Sequence, residues 1–586
     1  MPVRSPRSPR ARGSGDRTRI LAGLAGIFVV VIILRLFSLQ VLQYGFYKAL
    51  AEGQHSLYQK LFPERGKIYM TEKGSSQLFP LATNEPLSLV FANPSKIKND
   101  PEEIARELSP ILDMDPGVIY ERIAKQDDLY EPLKHAVRKT DVDAIRALQF
   151  SGIEFVDESV RMYPEGRYGS HIVGFLGFDG DLRKGQYGIE GSFDTKLTGK
   201  QGALSAEKDA AGRWIAIGAR SLVPAENGDD IVLTIDRSIE HEACVKLDEA
   251  VQKHGADGGS VVVLEPSTGA ILAMCGSPDF DPNEYADEED VKVYANPAIF
   301  NQYEPGSVMK GVTMSASVDQ GKVSPNTTYT DEGFVKIGSY TIKNSDGKAH
   351  GVNTMTQVLE QSLNTGAIFA MRQIGPKTFA SYLDKFGFGV KTRIELQGES
   401  AGDTSTLKAG KEIYAATASY GQGITVTPLQ LASAFAAIAN RGILMKPYIV
   451  KELRHPDGTT TTTQPTTVRQ AISPQTATTI GAMLVNVVKN GHGTRAGVPG
   501  YYIAGKTGTA QVPRTDSPGY QDDVTIGTFA GFGPVENPRF VMVVRIDRPR
   551  DVQFAESSAA PLFGEIANFI LHYLEVPPTV TEDAIP

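Results

Sequence analysis

Residues 20–42, ILAGLAGIFVVVIILRLFSLQVL, constrain this chain more than any other stretch. From Ile20 to Leu34 no side chain is charged or strongly polar. Read as one helix, the stretch measures about 35 Å at roughly 1.5 Å per residue, enough to span a bilayer. The 19 residues before it hold six Arg against one Asp, and the aromatic group Tyr44–Tyr47 follows it. Those flanks predict a membrane anchor with its basic side in the cytoplasm and an aromatic belt at the far interface. The apolar run is long for a signal peptide, and no small-x-small cleavage site follows, so the anchor is expected to stay uncleaved. Arg35 then has to snorkel or pair with a partner helix, and Ala22 with Gly26 offers a small-xxx-small contact face. Everything after about residue 43 is expected to fold outside the membrane.

The basic arm 1–19 carries +5 of a total of −9, leaving −14 on the rest of the 586 residues. It reads as the flank of an anchor, and no nucleic-acid partner is expected. A chain of this length predicts two to four folded units. Residues 43–228 read as a mixed α/β segment. In NDPEEIARELSPIL, Asp100 is the N-cap, Pro101 the first helical position, and Ile104, Leu108 and Ile111 follow at helical spacing. From about residue 158 the texture turns Gly-rich, with strands too short for a core of their own, as expected of a rigid spacer and docking module. A second domain is expected over 229–576. It opens with the strand DDIVLTID, a helix over RSIEHEACVKLDEAVQKH and two strands joined by the turn PSTG. It closes with the strands TIGTFAGFGP and RFVMVVRID and the helix APLFGEIANFILHYL. Strands from both ends with helices between them predict an α+β fold. Residues 577–586 form a short tail. Cys244 and Cys275, the only two cysteines, are expected to be buried free thiols, although export would permit a disulfide. Two Cys and nine scattered His with no HExxH predict neither metal nor cofactor.

The chemistry is sought in NQYEPGSVMKGVTMSASV, residues 301–318, where Ser307 and Lys310 form Ser-x-x-Lys. The spacing alone is uninformative, because Ser95–Lys98, Ser205–Lys208, Ser345–Lys348 and Ser405–Lys408 share it. Context separates them. Only Ser307 follows a Pro-Gly turn and precedes apolar positions at helical spacing, Val308, Val312 and Ala316. It is therefore placed at a helix N-terminus with Lys310 one turn on and on the same face. There, free N–H groups and the helix dipole favour a developing oxyanion. Lys310 acts as a base if burial beside another cation lowers its pKa. VLEQSLNTGAIFAM places Ser362 and Asn364 in a helix-like apolar stretch. YYIAGKTGTAQV reads as an edge strand running into Lys506-Thr507-Gly508-Thr509, small residues around one cation that suit a carboxylate.

The order Ser-x-x-Lys, Ser-x-Asn, Lys-Thr-Gly resembles the penicillin-recognising serine acyltransferases. The stretches LTID, EPSTGAILAM, YEPGSVMK, TASYGQGITVTPLQLASAFAAIANRG and YIAGKTGTAQ resemble the transpeptidase domain of class B penicillin-binding proteins. ERGKIY, RMYPEG, YGIEGSFD and LTGKQG resemble that class's N-terminal pedestal, the division-type (septal) enzymes most of all. The resemblance implies an antiparallel sheet flanked by helices, a helical subdomain and a peptidoglycan D,D-transpeptidase. It implies that Ser307 attacks a stem-peptide carbonyl, Lys310 takes its proton, and Ser362 with Lys506 serves the leaving amine. Asn364 would hold the donor amide. Lys506, Thr507, Gly508 and Thr509 would bind the terminal carboxylate, which β-lactams mimic. The resemblance also implies a membrane glycosyltransferase and divisome proteins as partners, in the bacterial inner membrane. Leu363 stands where common β-lactamases carry Asp, so rapid hydrolysis of the ester is not expected. An elongation-type transpeptidase, a D,D-carboxypeptidase and a non-catalytic β-lactam sensor remain as rivals.

Overall fold

The computed structural model describes residues 56–61, 63–125, 129–179, 182–207, 220–514, 517 and 519–579. The expected anchor over 20–42 and the arm 1–19 lie outside the described residues, as does most of the expected tail. Among the described residues, no helix is long and apolar enough to cross a membrane. The chain divides into two compact units. One comprises residues 1–63 and 200–226, and its described part is an antiparallel sheet in the order Ser56–Leu61, Gly202–Glu207, Arg220–Val223. The other, residues 64–199 and 227–586, carries everything that follows.

The N-terminal part of this second unit is built on the long strand Phe79–Ala92, which pairs with Glu131–Val137 and Ile153–Met162. Helix Pro101–Leu112 is capped by Asp100, whose carboxylate accepts from Glu102 N at 3.1 Å. Such a cap contributes about 1 kcal/mol. Ile104, Leu108, Ile119 and Ile145 pack a small core against Val90 and Ala92. The Gly-rich stretch has no core of its own: Ile172, Val173, Phe175, Ile189 and Leu197 join the main one.

That stretch owes its order to a buried ion cluster. Glu190 is fully buried, with Arg161 Nε on Oε1 at 2.6 Å and Arg65 Nε on Oε2 at 2.7 Å. Tyr163 donates to Oε1 at 3.4 Å, and Arg161 Nη1 reaches Asn84 Oδ1 at 2.9 Å. Three segments far apart in sequence are thereby tied to one carboxylate. The strand Ile68–Thr71 then runs parallel to Asp230–Asp236, which in turn pairs with Val450–Arg454, so one seven-stranded sheet includes strands from both sides of residue 229.

The C-terminal part has α1 (Arg237–Lys253), β1 (Gly258–Leu264), β2 (Ile271–Ser277), α2 (Met309–Asp319), α3 (Met355–Glu360), α4 (Asn364–Ile374), β3 (Ala504–Pro513), β4 (Tyr520–Gly533), β5 (Phe540–Asp547) and α5 (Ala559–Tyr573). The strands form one antiparallel sheet in the order β2-β1-β5-β4-β3, so the Lys-Thr-Gly strand is an edge. Val261, Val263, Met542 and Val544 pack one face against α1 and α5, whereas Val262, Val541 and Val543 face the main core. Helix α2 runs through that core, buried from Met309 to Ser317. Its polar residues are satisfied both within the helix and across the core: Ser315 Oγ donates to Gly311 O at 2.8 Å, and Thr313 Oγ1 to Ser419 O at 2.7 Å.

One expectation is overturned here. Cys244 on α1 and Cys275 on β2 are disulfide-bonded, with Cα atoms 5.3 Å apart. The helix lies directly on the strand, which brings side chains 31 positions apart into bridging range. Replacing both by serine is expected to cost about 2–4 kcal/mol of stability, measured by denaturant unfolding under non-reducing conditions.

Candidate active site

Ser307 lies in a single 3-10 turn, Gly306–Val308, that runs straight into α2. Gly306 has φ +60°, a left-handed conformation that allows this sharp entry. Its N–H donates to Gly421 O at 3.1 Å, which fastens the turn to the loop 420–423 after the helix Glu412–Ser419. Glu304 anchors the same loop, accepting from Gly423 N at 2.9 Å and from Tyr520 Oη at 3.0 Å. Burial raises the pKa of its carboxyl. Sequence reasoning gave neither Glu304 nor the loop a role, although both fall within stretches that carry the family resemblance.

Lys310, the second residue of α2, stands one turn past Ser307 and is 1% exposed. Its Nζ lies 2.9 Å from Ser307 Oγ, 3.2 Å from Ser362 Oγ, 2.5 Å from Ser362 O and 2.8 Å from Asn364 Oδ1. The first two motifs therefore meet at a single nitrogen. The other Ser-x-x-Lys matches behave differently. Ser95 Oγ donates to Asn93 Oδ1 at 2.7 Å, Ser345 lies exposed in a turn, Ser405 lies exposed at the start of the 3-10 helix Ser405–Ala409, and Lys208 is outside the described residues.

Ser362 is not helical. It occupies the turn between α3 and α4 with φ +58°, unusual for a residue with a Cβ. That conformation aims both its carbonyl and its hydroxyl at Lys310 and lets Leu363 start a new helix whose first residue is Asn364. The apolar run suggested one continuous helix because periodicity does not register a one-residue reversal. Asn364 Nδ2 donates to Lys343 O at 2.9 Å, from the hairpin Phe334–Ile337/Tyr340–Lys343.

The third motif closes the cleft. A Cβ on Gly508 would sit 2.6 Å from Pro305 O and 2.6 Å from Val308 Cγ2, so only glycine lets β3 lie against the nucleophile's turn. Lys506 is fully buried, and its Nζ contacts Thr507 O at 3.1 Å and Thr507 Oγ1 at 3.2 Å. Thr509 Oγ1 accepts from Ala555 N at 3.0 Å. Burial lowers the pKa of Lys506 to about 7, against the raising effect of the Glu556 carboxylate. Lys310 is pushed well below the ordinary lysine value, first by burial and then by the charge of Lys506. Two ammonium groups in one dry cleft favour releasing a proton, which makes Lys310 a base next to a hydroxyl. The cleft thus combines two hydroxyls, a depressed amine, an amide and a second lysine. Such a set can carry out acyl transfer through a serine ester.

Comparison with known proteins agrees with this class. Residues 259–568 match the penicillin-binding protein transpeptidase domain, and residues 60–233 match the penicillin-binding protein dimerisation domain. The chain therefore belongs to the penicillin-binding protein transpeptidases, in the class (class B) that joins these two domains. It is 33% identical over 599 residues to penicillin-binding protein PbpB of Mycobacterium tuberculosis, covering 97% of this chain and 86% of that protein. It is 32% identical over 562 residues to stage V sporulation protein D of Bacillus subtilis, covering 95% and 85%. It is 29% identical over 573 residues to PenA of Neisseria meningitidis, named a probable peptidoglycan D,D-transpeptidase, covering 97% and 94%. Among solved structures, penicillin-binding protein 3 of Mycobacterium tuberculosis, complexed with aztreonam, superposes with a TM-score of 0.69 at 28% identity, covering 89% and 98%.

Proposed function

We propose that this chain is a penicillin-sensitive peptidoglycan D,D-transpeptidase acting through an ester on Ser307. The observation that carries the reading is the buried Lys310 amine, 2.9 Å from Ser307 Oγ and in contact with both polar side chains of the second motif.

Neutral Lys310 accepts the Ser307 proton as Oγ attacks the penultimate D-Ala carbonyl of a stem pentapeptide. The backbone N–H groups of Ser307 and Thr509 receive the oxyanion, a contribution of about 2.7–4 kcal/mol per donor. Collapse of the tetrahedral species breaks the peptide bond. The leaving amine takes a proton through Ser362, with Lys506 nearby, and D-Ala departs. Lys506, Thr507 and Thr509, with Gly508 giving them access, anchor the terminal carboxylate, and Asn364 holds the donor amide. An amine from a neighbouring stem peptide then attacks the ester and returns the Ser307 proton, closing the cross-link. A β-lactam carries the same carbonyl and carboxylate but has no leaving group that diffuses away, so its ester persists. In this reading residues 229–576 are the catalytic domain and residues 43–228 the pedestal. A single uncleaved anchor over 20–42 holds both outside the bacterial inner membrane, with divisome proteins and a membrane glycosyltransferase as partners at the septum.

Incubation of the full chain with a stem pentapeptide and an amine acceptor is expected to release D-Ala and form the amide. Tetrapeptide alone would mean a carboxypeptidase, and no product would mean a sensor. A fluorescent fusion is expected at midcell; a side-wall pattern would replace the septal role by an elongation one.

A further inference from the structure

Behind Asn364 lies a buried carboxylate that the reaction above does not use. Asp331, at the end of the strand Thr328–Asp331, is 2% exposed. It accepts four hydrogen bonds, all from neutral groups. Oδ1 takes Gly333 N at 2.9 Å and Thr365 Oγ1 at 2.7 Å. Oδ2 takes Asn344 Nδ2 at 2.7 Å and His350 N at 3.0 Å. Burying a carboxylate is costly, and four converging donors demand a group that only accepts. An amide there would turn its own N–H₂ against two of them.

Two branches run from this hub to the cleft. Thr365 gives its proton to Asp331, so Tyr329 Oη donates to Thr365 Oγ1 at 3.1 Å, and the first turn of α4 is fixed. Asn344, held by its Nδ2, accepts from Thr365 N at 3.3 Å. The residue before it, Lys343, offers the carbonyl that takes Asn364 Nδ2 at 2.9 Å. That contact decides which way the Asn364 amide faces. With Nδ2 on the hairpin, Oδ1 points at Lys310 Nζ, 2.8 Å away.

We propose that Asp331 is a positioning residue for acyl transfer: by locking Asn344 and Thr365 it sets the Lys343 carbonyl that orients Asn364, and through Asn364 it aims the Lys310 amine. The proposal rests on Ser307 being the nucleophile. The bland alternative is that Asp331 merely closes the loop Asp331–His350. The two differ in their effect on Lys310. Burial and Lys506 on β3 disfavour the charged form of Lys310, whereas Asn364 Oδ1 and Ser362 O, which both accept from its Nζ, favour it; Ser307 is neutral, and Glu556 acts on Lys506. Loosening Asn364 removes one of these two acceptors, so Lys310 loses its proton at lower pH while its aim at Ser307 Oγ worsens.

The test is the pH profile of β-lactam acylation of the full chain. In Asp331→Asn the limiting rate is expected to fall by roughly tenfold to a hundredfold, as for misplacement of a reacting group. The rising acid limb is expected to move to lower pH. Thr365→Val should move both in the same direction and Thr365→Ser should restore them, which keeps the test decisive if Asp331→Asn fails to fold. A slower rate with an unmoved limb, or an unchanged rate, in the folded variants would overturn the proposal and leave the nucleophile intact. Absence of acylation in the wild-type protein would overturn both.

Discussion

Lys310→Met is expected to lower the rate of Ser307 acylation by about 10²–10⁴-fold, the usual range for loss of a positioned general base. Methionine fills the buried space without a charge, so the fold should be retained. The loss is expected in the limiting rate more than in binding, because Lys310 touches Ser307, whereas the proposed carboxylate anchor is Lys506. The pH dependence of the wild-type protein gives the sign. Both lysines are depressed, so each loses its charge as pH rises through its own lowered value. Acylation rises as Lys310 becomes neutral. It is expected to fall around pH 7, where Lys506 in the free protein gives up the charge proposed to anchor the carboxylate. A bound carboxylate favours charged Lys506, so the falling limb should mark the second-order constant and recede from the limiting rate. Stopped-flow acylation across pH measures both.

Glu190→Ala is expected to destabilise the second compact unit by about 3–5 kcal/mol, the range for removing one partner of a buried ion pair. The substitution leaves Arg161, whose side chain is 3% exposed, and Arg65, at 10%, facing each other without their carboxylate. Asp194, 2.8 Å from Arg65 Nη1, relieves only one of them. Because the Gly-rich stretch joins the main core through Ile172, Phe175 and Ile189, the damage should spread to the catalytic part. Denaturant unfolding measures the loss. A change below 1 kcal/mol would mean that water replaces the carboxylate in the cluster.

The elements that were legible in the sequence are those whose signals are local. Asp100 and Pro101 announce a helix because a cap and a fixed φ act over one turn. The Pro-Gly turn and the apolar spacing after Ser307 pick out one Ser-x-x-Lys of five for the same reason. The single Lys-Thr-Gly marks an edge strand because its glycine must clear a neighbouring backbone. What stayed hidden depends on contacts between distant segments. Nothing in RGK, RMY or IEG says that their charges share one buried point. Nothing around Asp331 says that its donors come from residues up to 34 positions away. Ser362 misled because one left-handed residue interrupts an apolar run without altering its composition. The pairing of Cys244 with Cys275 needed the packing of α1 on β2.

The most direct measurement is the intact mass of the full chain after excess benzylpenicillin, followed by peptide mapping. The account predicts one stable adduct, carried on Ser307 and missing from Ser307→Ala. A label on any other residue, or an adduct of equal yield in Ser307→Ala, would contradict it.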